Sequence, residues 1–565
     1  MNPAVKIERR PPSEVMRLKR LGCLHQCRLS FMRILTRRMA RENWRFTRPL
    51  FDINDKGVGR AVYTAHTAER PYSLVAFAHD LPDEMRSDRV IAQAWDATFT
   101  LFDGIPAPGD IDRLEQNVPF QEAGRLHESE LSMSRANRSV RLWNHVVDSL
   151  AQGRQPDIEQ IDEVGYLMRT TAVYGSGKFG TADFETVSAR DELQAPFQAE
   201  MLSVYLTRTF VRDLAEHAAG VRGGANATRL EPALARRLGI GNSTGLGMAP
   251  FLVHHPVLFN NWIMVREEAI ARVRALESAS DEECDMFHNM LKRGVLSVEQ
   301  WRSDHPAQLE KLTCLKDDIR KIEKFATREN LQRDHPWNQL MTWAASTLTE
   351  EGQEWLASLI LEPYGELVDG LASCMSDGNR DAFTINGAMS VRDARALIKE
   401  SFGWALNIDW NAKENCARAW YVSEEKLEPR LGERFEEDIF TDASNDFEQP
   451  LAPARDGVAA YKALEQWDGK KTVAEFLLRH PEHRYSIRRA QISAHTPYGE
   501  IHDNTISAAL LPIDMLRAKL SFFGATHFDP RSDRWVRIRM YAGAPYPDEL
   551  NTQNADLWVY PETAA

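Results

Sequence analysis

The sequence predicts an α+β protein, predominantly helical, with a large central helical body and strand-rich segments near both termini. Three observations predict it. Apolar and polar residues alternate before residue 110 and again around residue 536. Apolar residues at steps of three and four prevail from about residue 111 to 405. Turn residues separate these stretches without any fixed internal repeat. One mixed sheet, or two small α+β lobes flanking the helices, satisfies this order.

Residues 1–50 read as a basic helical arm. Twelve Lys/Arg against two acidic residues lie between Arg9 and Arg48, although the 565-residue chain carries a net charge of −13. Phe31, Ile34, Leu35 and Met39 recur at helical spacing. The arm is therefore expected to fold onto an acidic surface of its own chain or of a partner subunit. A basic arm also suits nucleic acid or lipid, but the acidic remainder disfavours nucleic acid and makes an anionic membrane a poor partner. Trading such arms between subunits would give a homodimer.

Residues 51–110 form a small strand-rich segment. Residues 59–66 and "YSLVAFAH" are strands around the turn "TAERP". In "RVIAQAWDATFTLFDG", Ile91, Trp95, Ala97, Phe99 and Leu101 point one way, and Asp96, Thr98 and Thr100 the other. Residues 111–422 are the helical body with two glycine-rich loops. Glu130, Ser134, Asn137 and Arg141 give one helix a polar stripe, and "QAEMLSVYLTRTFVRDLAEHA" reads as another helix. Leu312, Leu315, Ile319 and Ile322 form one apolar face, and Pro336 suits a first helical turn. Residues 423–456 are an acidic linker or surface loop. Residues 457–565 form an α+β segment, in which "HRYSIRRAQISAH" and "DRWVRIRMYAG" read as strands.

Composition is that of an ordinary globular chain, 43% hydrophobic and 27% charged. Six scattered cysteines without a C-x-x-C point to free thiols in a reducing compartment. Cys23, His25 and Cys27 lack the second ligand cluster that zinc requires. The start of the chain has no apolar leader, and the most apolar window, "GLGMAPFLVHHPVLFNNWIMV", is broken by His, Pro and Asn. A cytoplasmic protein without a membrane partner is expected.

Chemistry concentrates in four places. "RTTAVYGSGKFGTADFE" carries G-x-G-x-x-G, but its flanks exclude a dinucleotide fold: the residues after Gly180 lack helical periodicity, and Glu200 lies in a helix. Phe179 after Lys178 excludes a Walker loop. What remains is an anion-contacting turn of Gly175, Ser176, Gly177 and Lys178, helped by Arg169. "GIGNSTGLG" brings Gly241, Asn242, Ser243, Thr244 and Gly245 ahead of an apolar run, a loop feeding a helix N-terminus that favours an anion. His255 on that run is a candidate general acid or base. His495, Glu500 and His502 form a further proton-transfer group, or a two-His, one-carboxylate set for a divalent metal. No other cofactor is implied.

These features point to a cytoplasmic enzyme acting on a small phosphate- or carboxylate-bearing metabolite by proton transfer, as a lyase or isomerase would. The alternative is a non-enzymatic helical scaffold or regulatory protein whose basic arm binds a partner.

Overall fold

The computed structural model describes residues 7, 9–10, 12–15, 20, 27–82, 94–119, 126–170, 190–193, 195–244, 256–301, 303, 305–375, 385–409, 451–493, 521–525, 527–530 and 536–558. Helix outweighs strand among them, and nine strands join in one sheet. The strands are β1 (Arg45–Ile53), β2 (Gly59–His66), β3 (Pro71–Ala78), β4 (Ala97–Asp103), β5 (Glu130–Arg138), β6 (Tyr166–Thr170), β7 (Gly239–Thr244), β8 (His527–Pro530) and β9 (Val536–Met540). Their order is β1-β2-β3-β4-β5-β6-β7-β9-β8. Neighbours are antiparallel except β6 and β7, which are parallel. Both ends of the chain therefore meet in one mixed sheet.

Several expected elements are present. β2 and β3 are the predicted hairpin, β4 and β9 are the predicted alternating strands, and Phe31–Arg41 is the predicted arm helix. Leu312, Leu315, Ile319 and Ile322 are buried along the helix Pro306–Phe325.

Others are corrected. The arm does not run to residue 50, because β1 begins at Arg45. Strands β5, β6 and β7 lie within the expected helical body. The polar-striped "helix" at Glu130, Ser134 and Asn137 is β5. Spacing of three and four hid an alternation in twos. Ser134 and Ala136 pair with Phe99 and Ala97, while Arg135 points the other way and stacks on Trp95 at 3.9 Å. The loop expected at Gly241, Asn242, Ser243 and Thr244 is β7. A Cβ on Gly241 would lie 2.6 Å from the Tyr166 ring, so that glycine serves close strand packing. "HRYSIRRAQIS" is a helix, Arg484–Ser493, with Ile487, Ala490 and Gln491 buried at helical spacing.

The parallel pair requires a crossover. It contains the longest helix, Gln198–Gly223, called the central helix here. The central helix packs across β2 to β7, with Phe210 meeting Tyr63 and Phe99 edge-on. The opposite sheet face is covered in part by helix Pro108–Asn117, around Val75, Phe77, Leu114 and Met133. Helices Pro256–Arg274, Asp281–Gln300, Pro306–Phe325, Pro336–Thr347 and Glu350–Leu359 share the large core with the sheet. A second, smaller core belongs to residues 385–409 and 451–493, around Ile398, Phe402, Leu464 and Phe476.

The basic arm is neutralised within its own chain. Glu354, on helix Glu350–Leu359, takes Arg20 at 3.0 Å and Arg266 at 2.8 Å, and also Arg10, which further binds Glu267 at 2.7 Å. Arg33 is fully buried and bidentate to Glu362 at 2.6 and 2.8 Å. Arg28 is bidentate to Asp369, which Arg37 also reaches at 3.2 Å. Gly365 lacks the Cβ that would stand 2.6 Å from the Arg28 guanidinium. Burial alone would raise the Glu354 carboxyl, but Arg10, Arg266 and Arg20 hold it well below the usual carboxylate range.

Glu354→Gln leaves three buried guanidiniums without their shared charge. The expected loss is about 3–5 kcal/mol in urea denaturation, against less than about 0.5 kcal/mol for Leu478→Ala at an exposed site. A depressed folded pKa contributes stability that is complete above the unfolded value, about pH 4.3, and lost as pH falls below it. The stability of Glu354→Gln should therefore fall less between pH 5 and pH 2 than that of the unaltered chain.

Candidate binding cleft

The central helix changes character along its length. From Gln198 to Val211 it is buried all round. Beyond that, Leu214, Ala215 and Ala219 stay buried, while Arg212, Asp213, Glu216 and His217 are only partly covered. Thr209, Asp213, Glu216 and Gly220 follow the i, i+4, i+7 spacing of one helical stripe. This stripe floors an open cleft of about 1,090 Å³.

Three walls surround it. Trp44 and the first half of β1 form one, with Arg45, Phe46, Thr47 and Arg48. The segment Ala227–Ala235 forms the second. The third is Tyr546–Glu549, which Arg208 locks in place. Its guanidinium donates to the carbonyls of Leu238 (2.7 Å), Ala544 (2.8 Å) and Arg236 (3.1 Å), and lies 4.0 Å from the Tyr546 ring centre. Arg212 covers Tyr546 at 4.3 Å.

Each polar group on the stripe has a defined setting. Asp213 Oδ2 accepts from Tyr63 Oη (2.8 Å) and Arg48 Nη1 (2.6 Å), so its charge is tied to β1 and β2. Burial, with Asp213 adding to it, pushes the Tyr63 phenol well above its ordinary value, and it stays a neutral donor. His217 Nε2–H donates to the Asn54 carbonyl at 3.1 Å. Glu216 Oε1 accepts from the Leu230 N–H at 3.2 Å. Burial raises the Glu216 carboxyl, and the Leu230 bond and Arg212 offset this only in part.

Two features have no internal partner. Thr209 is 7% exposed, and its Oγ1 makes no hydrogen bond. The oxygen is sealed from solvent, so it carries the cost of an unpaired buried hydroxyl. At the rim, the exposed Arg45 and Arg229 guanidiniums make no ion pair among the described residues.

Of the residues expected from sequence, those that are described sit outside the cleft. Gly175, Ser176, Gly177, Lys178, Gly245, His255, His495, Glu500 and His502 lie outside the described residues. Arg169 is buried in β6, and Asn242 is buried in β7, donating to the Thr170 carbonyl at 3.1 Å. The first glycine-rich segment follows β6 in sequence and the second begins as β7, and these parallel neighbours set Thr170 opposite Asn242. The cleft was missed, although its signal was present. "RDLAEH" interrupts an apolar helix with a carboxylate pair three residues apart and an adjoining histidine. Asp213, Glu216 and His217 do not converge to metal-binding distance; among the described residues, His480, Glu482 and His483 do.

A raised carboxyl favours the protonated folded state. Its stability is complete below the unfolded value and lost as pH rises through the folded one. Urea midpoints at pH 5 and pH 8 should therefore differ less in Glu216→Gln than in the unaltered chain. Arg208→Met strands three carbonyls and is expected to lose about 1–3 kcal/mol for each one left dry, with the Tyr546 side of the cleft opening to proteolysis first. Compared with known protein families, curated proteins and solved structures, the chain matches none.

Proposed function

We propose that the cleft binds a small phosphate- or carboxylate-bearing metabolite and that Glu216 moves a proton to or from it, in an enzyme of lyase or isomerase type. The carrying observation is that one helical stripe places a carboxyl raised by burial, Glu216, in a cleft whose rim carries two exposed arginines, Arg45 and Arg229, that make no ion pair among the described residues. Arg45 and Arg229 supply positive charge at the rim for the anionic group. The Leu230 N–H fixes Glu216 Oε1, leaving Oε2 to face the reacting carbon or oxygen. A carboxyl whose proton affinity is raised toward neutrality is a better match for proton transfer near pH 7. Asp213 positions Tyr63 and Arg48 and does not exchange protons in this scheme.

An aqueous, reducing setting suits this reading, and we assign the protein to the cytoplasm. Cys27, Cys284, Cys314 and Cys374 are free thiols, and no described helix is long and apolar enough to cross a membrane.

The test is thermal unfolding against a panel of phosphorylated and carboxylated metabolites. A ligand that binds only the folded state must raise the midpoint. The rise should vanish in Arg45→Ala/Arg229→Ala, whereas Glu216→Gln should keep the rise and lose turnover. Without ligand, Thr209→Val should be neutral or slightly stabilising, since it removes an unpaired buried hydroxyl. Absence of any stabilising ligand contradicts the proposal. A rise abolished by Lys178→Ala and Ser243→Ala but kept in the arginine variant moves the site to the glycine-rich segments.

A further inference from the structure

Away from the cleft, the smaller helical core carries a cluster that nothing so far has used. Helix Val473–Arg479 ends at His480, and a single 3₁₀ turn, Pro481–His483, leads into helix Arg484–Ser493. In a 3₁₀ turn, residues three apart eclipse one another. His480 and His483 therefore project to the same side, with their rings 6.2 Å apart and inclined by 29°. Glu482 lies between them. Its Oε1 is 3.4 Å from His480 Nδ1 and 3.8 Å from His483 Nε2, and the three donor atoms lie within 4.8 Å of one another.

We propose that His480, Glu482 and His483 bind a borderline divalent cation of the zinc class. Two imidazoles and one carboxylate are a donor set that such ions favour. Bonds of about 2.0–2.1 Å in a tetrahedron place donor atoms about 3.3 Å apart, so the His480–Glu482 spacing already fits and the others close by small side-chain rotations. The imidazoles are pre-positioned. Phe476 stacks on His480 at 4.9 Å and on His483 at 5.9 Å, and Trp467 meets His480 edge-on at 5.7 Å. The backbone is fixed as well: the His480 N–H donates to Phe476 O at 2.9 Å and the His483 N–H to His480 O at 3.2 Å.

The chemistry of the site follows from its exposure. Three protein donors leave one position for water or for a donor from another molecule. Because the cation links the end of one helix to the start of the next, it stabilises the turn between them.

The probe is zinc chloride titrated into the full chain at pH 7.5 by calorimetry, with cobalt absorption as a second readout of geometry. The expected result is a site weakened about tenfold or more in His480→Ala and in His483→Ala, as loss of one donor in three implies. Glu482→Gln, which keeps the shape of the turn, should weaken it too, while far-UV circular dichroism stays unchanged. The inference is overturned if the unaltered chain takes up no zinc. It is equally overturned if binding survives in the His480→Ala/His483→Ala double variant, or disappears only when His495 and His502 are replaced.

Discussion

A guanidinium cannot shed its charge, so a buried arginine must bring a carboxylate or several carbonyls with it. That constraint organises this molecule. Arg10, Arg20, Arg28, Arg33 and Arg37 come from the first 40 residues, yet their partners Glu267, Glu354, Glu362, Asp369 and Asp556 come from helices and turns hundreds of positions later. Each pair is specific in geometry as well as charge. The arm helix Phe31–Arg41 thereby has one place to sit, against the central helix and beneath the C-terminal turn, where Trp558 reaches Thr36.

From the arm helix the chain passes through Trp44 directly into β1, which walls the cleft. The opposite wall depends on a second buried arginine, Arg208, whose partners are three backbone carbonyls. The floor is the later part of the central helix, where burial on all sides gives way to burial on one. The cleft thus lies where the partly exposed end of the central helix runs between two arginine-anchored segments. Its polar stripe does not stabilise the fold by packing. Glu216 and Thr209 both carry a cost of burial, and such costs concentrate where a ligand is to be met.

Much of the fold was legible in the sequence where one period dominated. β4 and β9 alternate, β2 and β3 are apolar-rich runs flanking a turn, and Leu312 to Ile322 step by threes and fours, so each class is visible in the sequence. Reading failed where two periods coexist. Glu130–Arg138 satisfies helical spacing with its polar residues and strand spacing with Ser134 and Ala136, and only pairing with β4 decides between them. Gly239 and Gly241 suggested a loop because glycine weakens an isolated strand. Their value lies in close approach to Met540 and Tyr166, a tertiary fact with no local trace. The arm's self-neutralisation was legible as a charge imbalance, but not its partners. The cleft leaves only "RDLAEH" as a trace, because Asp213 and Glu216 gain their setting only where β1 and Tyr546 close over them.

Coupling between the buried ion pairs and the cleft is the central claim, and hydrogen exchange tests it most directly. In Glu362→Gln, which unpairs Arg33, amide protection should fall in Phe31–Arg41 and, in step with it, in Arg45–Ile53 of β1, while Val391–Phe402 in the smaller core keeps its protection. Loss of protection confined to the arm helix, with β1 unchanged, would contradict the account.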